Sequence, residues 1–218
     1  MSVMQTRSIL CFGDSNTHGT RAMRDLGDRI RFDKGRRWPD IMATRLGDGW
    51  EVIAEGHPGR TAVFDDPIEG THKNGLRSLH ALLESHRPLD LVIIMLGTND
   101  LKARFNATAS DIVLGIQRLA LEVLRSDCGP EGAAPQVVLV APVPILEAGV
   151  LAEIFAGGSI KSKAVPSLVQ NVAARHRFGF VEAGKVASVD PTDGVHLDEV
   201  AHAAIGSEMA TAVNKYLS

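Results

Sequence analysis

The chain has 218 residues, 44% of them hydrophobic, enough to close one sizeable core and short for two. Its formal net charge is −3, and Lys and Arg are scattered apart from a small cluster at Lys34, Arg36 and Arg37, which argues against the concentrated basic face of a nucleic-acid binder. The two cysteines, Cys11 and Cys128, make neither a disulfide framework nor a metal-ligand pair and read as ordinary reduced residues.

The longest apolar run, Leu89 to Leu96 broken by Asp90, is far below the roughly 20 residues that a membrane span requires. Near the N-terminus, Ile9 to Phe12 is too short for a secretory core. The reading is one domain over residues 1–218, located in the cytoplasm, with neither nucleic acid nor membrane as partner.

In chain order, short apolar runs alternate with longer amphipathic segments, the pattern of βαβ units in a parallel sheet. SILCF (8–12), EVIAE (51–55), LDLVIIML (89–96), QVVLVA (136–141) and FGFVEA (178–183) read as five strands. Helical spacing is found in Trp38–Leu46, Gly75–His86, Ser110–Arg125 and Lys161–His176, and Asp198–Leu217 closes the chain. Pro166 is expected to start or kink the fourth of these. Two connections are long, Thr20 to Arg37 and Ala141 to Ile160, where joins in such folds usually span about 2 to 6 residues. Long connections in a compact domain tend to be functional.

Ligands of an open α/β sheet bind beyond the carboxyl ends of its strands. CFGDSNTHG (11–19) follows the first strand, GHPGRTA (56–62) the second and GTND (97–100) the third, while Asp193-Gly194-Val195-His196 precedes the last helix. Each alone reads as a turn or helix cap, because Gly, Asp, Asn and Ser are what turns require. Together at one sheet edge they fill the roles of an acyl-transfer site. Ser15 supplies a hydroxyl. His196, preceded three residues earlier by a carboxylate in the short loop before the last helix, is the base, and Asp193 orients it. The Asn99 amide and the backbone N–H groups of Ser15 and Gly59 are donors for an oxyanion.

GDS with Ser15, Gly59, GTND with Asn99, and Asp193-x-x-His196 resemble the four blocks of the SGNH/GDSL hydrolase family. RRWPDIMATRLG, EVIAEG, GRTAVFDDP, KNG and PLDLVIIMLGTNDLK are similar to its branch of bacterial arylesterases, acyltransferases and carbohydrate acetyl esterases. The resemblance implies a flavodoxin-like three-layer αβα fold with a five-stranded parallel sheet. It also implies metal-free hydrolysis of short acyl esters through an acyl-serine, without a cofactor, and assembly into a homo-oligomer, a tetramer or octamer. Asp14 is then expected to brace the nucleophile turn. Where that branch reads GDSLTWG, this chain has Asn16 and His18, positions expected to shape the pocket rim. A thioesterase or lysophospholipase with the same triad is the nearest alternative, and an inactive ligand-binding module is the alternative from another class.

The remaining histidines show no metal-ligand pattern, HExxH is absent, and neither GxGxxG nor GxxxxGK[ST] occurs. Val150, Leu151, Ile154 and Phe155 recur at helical spacing within Gly149 to Gly158. They are expected to pack against another subunit near the mouth of the site, the alternative being a local helix that covers its own core.

Overall fold

The computed structural model describes residues 6–217. Five parallel strands, β1 (Arg7–Gly13), β2 (Trp50–Gly56), β3 (Leu91–Met95), β4 (Gln136–Ala141) and β5 (Gly179–Glu182), form one sheet in the order β2-β1-β3-β4-β5. This is the flavodoxin-like order, in which the topology reverses between β1 and β3.

The apolar runs are continuous because both faces of the sheet are covered. Successive side chains of a strand point to opposite faces. Accordingly Leu10, Phe12, Val92 and Ile94 join one core, and Ile9, Cys11, Leu91 and Ile93 the other. The first core packs under α3 (Gly75–His86), α4 (Ala109–Arg125) and α5 (Gly158–His176), with Leu79, Leu83, Ile112, Ile116 and Val169 facing the sheet. The second packs under α2 (Trp38–Leu46) and α6 (Glu199–Tyr216), with Trp38, Met42, Ile205, Met209 and Val213 facing it. Truncating a fully buried central residue such as Ile94 to Ala is expected to cost about 2–5 kcal/mol.

Local chemistry sets the helix starts. Asn74 caps α3 through Leu76 N, Thr108 and Asp111 form a capping box on α4, and Asp198 caps α6 through Ala201 N. α5 corrects one part of the expectation at Pro166: the helix begins at Gly158, so the proline, which is buried, lies inside it and does not start it. A proline there deprives the Ser162 carbonyl of its helical partner. The flanking Val165 and Val169 are buried in the core, and that packing keeps the helix in place.

Candidate active site

The short helix α1 (Ser15–His18) begins one residue after β1 ends. Asp14 caps it, its Oδ1 accepting from Asn16 N at 2.9 Å, so Ser15 stands at the first helical position just beyond the carboxyl end of β1. Burial pushes the Asp14 carboxyl up to about 6, against the opposing pull of the Asn16 N–H, His196 and Arg60. Arg60, buried beneath the turn, donates to the Gly13 carbonyl at 2.8 Å and to the Glu55 carbonyl, tying the ends of β1 and β2 together.

Asp193 is 0% exposed and accepts four hydrogen bonds. Its Oδ1 takes the N–H groups of Val195 and His196, both at 2.9 Å, and its Oδ2 takes Met23 N at 2.8 Å and His196 Nδ1 at 2.6 Å. Burial raises the pKa of this carboxyl, but the hydrogen bonds and the neighbouring His196 outweigh it and hold the group below its ordinary value. Because Asp193 is ionised, Nδ1 of His196 carries the proton and donates it, which leaves Nε2 free to accept. Met23 comes from the long connection after α1, which therefore helps to hold the carboxylate.

Ser15, Gly59, Asn99 and His196 all line one cavity of about 300 Å³ at the carboxyl edge of the sheet. No hydrogen bond joins Ser15 Oγ to His196 among the described residues; such contacts often tighten only with substrate bound. Among the described residues the N–H groups of Ser15 and Gly59 have no hydrogen-bond acceptor, and Asn99 Nδ2 is buried without a partner. Three donors around one cavity, all unpaired, are what a site awaiting negative charge requires. Gly59 adopts φ +81°, so the turn demands glycine; a Cβ there would also sit 2.5 Å from Glu69 Oε2 and push that side chain aside.

The two long connections supply much of the rest of the wall. Met23, Leu26 and Arg29 come from the first, and Leu151, Ile154 and Phe155 from the second. Leu151 and Phe155 are buried in the chain's own core, and their segment is a 3-10 turn (Gly149–Leu151) followed by further turns rather than a regular helix. Val150 and Ile154 are partly buried against the same core. On the Gly59 side the wall is charged: Lys102 pairs with Glu69 and, at 3.6 Å, with Asp66, while Arg104 meets Asp66 at 3.0 Å.

His18 lines the cavity, its Nδ1 3.0 Å from Thr20 Oγ1. Burial, then repulsion from Arg31 and Arg37, draws its pKa down to about 4, so the ring is neutral at pH 7. Asn16 does not reach the rim: its side chain is buried, and its Nδ2 donates to the Val195 carbonyl at 3.1 Å. Sequence reading found neither the Met23 bond nor the charged wall; the length of the 20–37 connection was the one signal that pointed to the former.

A parallel β2-β1-β3-β4-β5 sheet with a serine, a carboxylate-held histidine and unpaired donors at its carboxyl edge defines an α/β hydrolase of the SGNH type. The chain belongs to the GDSL-like lipase/acylhydrolase family, whose model matches residues 11–204, and it is a carboxylic ester hydrolase. The native aryl esterase of M. smegmatis and a carbohydrate acetylesterase from Sinorhizobium meliloti are each 39% identical to it, with TM-scores of 0.92, over 96% of this chain and 99% of theirs. Among curated proteins none matches. No helix among the described residues is long and apolar enough to cross a membrane.

Proposed function

We propose that the chain is a serine esterase that hydrolyses short-chain acyl esters, acetyl foremost, of aryl alcohols or carbohydrates. The observation that carries this reading is the 2.6 Å bond from His196 to a fully buried Asp193, beside a cavity that Ser15 shares with three unpaired donors. The choice of alcohols follows the aryl esterase and carbohydrate acetylesterase to which the chain is similar.

In this mechanism Nε2 of His196 takes the Ser15 hydroxyl proton as Oγ attacks the ester carbonyl carbon. Asp193 stabilises the imidazolium. The carbonyl oxygen becomes an oxyanion held by the N–H groups of Ser15 and Gly59 and by Asn99 Nδ2, which gain most when the charge has developed. The C–O bond to the alcohol then breaks, and the alcohol departs with the proton from Nε2. Water repeats the sequence on the acyl-serine and releases the acid. Asp14 supports the site by fixing the turn through Asn16 N. An alcohol in place of water at the second step would transfer the acyl group.

The test is Ser15→Ala, expected to abolish turnover and keep the fold, together with a serine-directed phosphonate, expected to leave one adduct at Ser15. Labelling elsewhere, or an active alanine variant, rejects the assignment. Rates on aryl acetates, acetylated sugars and acyl thioesters separate this reading from that of a thioesterase. Assembly into a cytoplasmic homo-oligomer, a tetramer or octamer, belongs to the same proposal. Leu146 and Ile160, 46% and 77% exposed, flank the wall segment and offer an apolar face for it. Light scattering that finds only monomer at micromolar concentration rejects that part.

A further inference from the structure

Lys73 lies at the end of a 3-10 turn (Thr71–Lys73) just before α3, and its side chain reaches into the wall of the cavity beside Gly59. A Cβ on Gly59 would sit 3.2 Å from the lysine's Cε. The ammonium donates to the Pro58 carbonyl at 2.9 Å and to His57 Nε2 at 3.2 Å. His57 accepts because burial, followed by the charge of Lys73, draws its pKa down to about 4 and leaves the ring neutral. Lys73 has no carboxylate within ion-pair distance among the described residues, whereas Lys102 and Arg104 are both paired.

The Pro58 carbonyl and the Gly59 N–H belong to one planar peptide group. In a trans peptide they point in opposite directions, so a group that grips the carbonyl also sets where the N–H aims. Lys73 is the one partner of that carbonyl among the described residues. A charged donor on the oxygen draws electron density from the amide and makes the N–H on the other side a stronger donor, as in any hydrogen-bonded chain. A neutral side chain could hold the peptide but would polarise it far less.

We propose that Lys73 is a positioning residue for the oxyanion site: its ammonium clamps and polarises the Pro58–Gly59 peptide so that the Gly59 N–H meets the developing oxyanion as a fixed, strengthened donor. This rests on the roles given above to Ser15 and Gly59. The groups facing Lys73 are Glu69 and Asp66, which favour its charge, Lys102 and Arg29, which oppose it, and the neutral His57. Burial comes first among these influences, and together they bring the lysine below its ordinary value. The charge is therefore lost earlier on the alkaline side than for a free lysine.

The experiment uses p-nitrophenyl acetate with wild type, Lys73→Met, Lys73→Arg and Ser15→Ala, each checked by thermal melting, from pH 7 to 10. Lys73→Met is expected to lower kcat about 10-fold and leave KM within about twofold, because the donor acts in the transition state. Lys73→Arg is expected to recover most of kcat and to move the alkaline fall of kcat to higher pH, since arginine keeps its charge. An unchanged kcat in Lys73→Met, or an alkaline limb that stays in place in Lys73→Arg, overturns the inference. If Lys73→Met does not fold, the alkaline limb of Lys73→Arg decides alone. Activity in Ser15→Ala instead overturns the serine mechanism beneath it, so the two failures are distinguishable.

Discussion

Asn16 Nδ2 donates to the carbonyl of Val195 at 3.1 Å, a bond between residues 179 positions apart that ties the helix carrying Ser15 to the loop carrying His196. Cutting this tie in Asn16→Leu is expected to lower kcat about tenfold with little change in KM, because small misplacements of reacting groups are costly. Stability should move less. The variant strands the Val195 carbonyl but also removes Asn16 Oδ1, which is buried without a partner, and the two effects oppose each other. Kinetics beside a melting curve check this; a full loss of fold, or an unchanged kcat, contradicts it.

Asn99→Ala removes the side-chain donor of the oxyanion site. We expect kcat to fall by about 10²- to 10³-fold with a smaller effect on KM, since such a donor acts mainly in the transition state. A change confined to KM would mean that Asn99 merely binds substrate.

His202, on α6, is fully buried, with Nδ1 3.3 Å from Trp38 N and its ring edge-on to Phe32. Burial draws its pKa from 6.5 down to about 4, with Asp198 and Asp40 opposing and Arg37 and His196 assisting. The unfolded chain thus binds more protons here between pH 6.5 and 4, and the stability from this residue is lost as pH falls through that window. Asp14 and Asp100, raised by burial to about 6 and 7, work in the opposite direction. The comparison with His202→Gln isolates the histidine: wild type should lose more Tm than the variant on going from pH 7 to pH 4.5. Parallel Tm profiles would show that His202 titrates normally.

Acetyl and propionyl esters should be turned over faster than octanoyl or longer ones. The cavity is about 300 Å³, and on its Gly59 side Lys73 and Glu69 would have to be stripped of water by a long alkyl chain. A continuous apolar trench would instead gain about 0.8 kcal/mol per buried methylene and make kcat/KM rise with length. p-Nitrophenyl esters from acetate to decanoate, below their micelle-forming concentrations, measure this. A maximum at octanoate or beyond would point to a lipase-like enzyme.

β1, β3 and β4 were legible because a strand covered on both faces leaves an unbroken apolar run, the edge strands β2 and β5 by shorter apolar stretches, and α2 and α3 run over the residues that their spacing predicted. The four motif blocks could be assigned to one place because three of them follow strands that end at the same edge. What stayed hidden depends on contacts between distant segments. Within the helical spacing at 150–155, Leu151 and Phe155 are buried in the chain's own core and Val150 and Ile154 only partly, a division that periodicity does not show. Pro166 lay inside a helix because tertiary packing outweighs the local penalty. Asn16 was expected at the rim and is buried, since nothing local shows that the Val195 carbonyl lies within its reach.

The division of the cavity between strand-end turns and two long connections has a consequence for how this enzyme can change. Ser15, Gly59 and Asn99 sit on short turns anchored to the sheet, whereas Leu26, Arg29 and Ile154 hang from stretches of irregular chain. Insertions and exchanges are tolerated in such stretches and not in the turns. Descendants of this sequence can therefore explore new esters by rewriting two loops while the reacting groups stay where they are. Directed evolution that diversifies residues 24–31 and Ile154, and leaves Met23 with its bond to Asp193 and Leu151 and Phe155 in the core, has the shortest route to an altered substrate range.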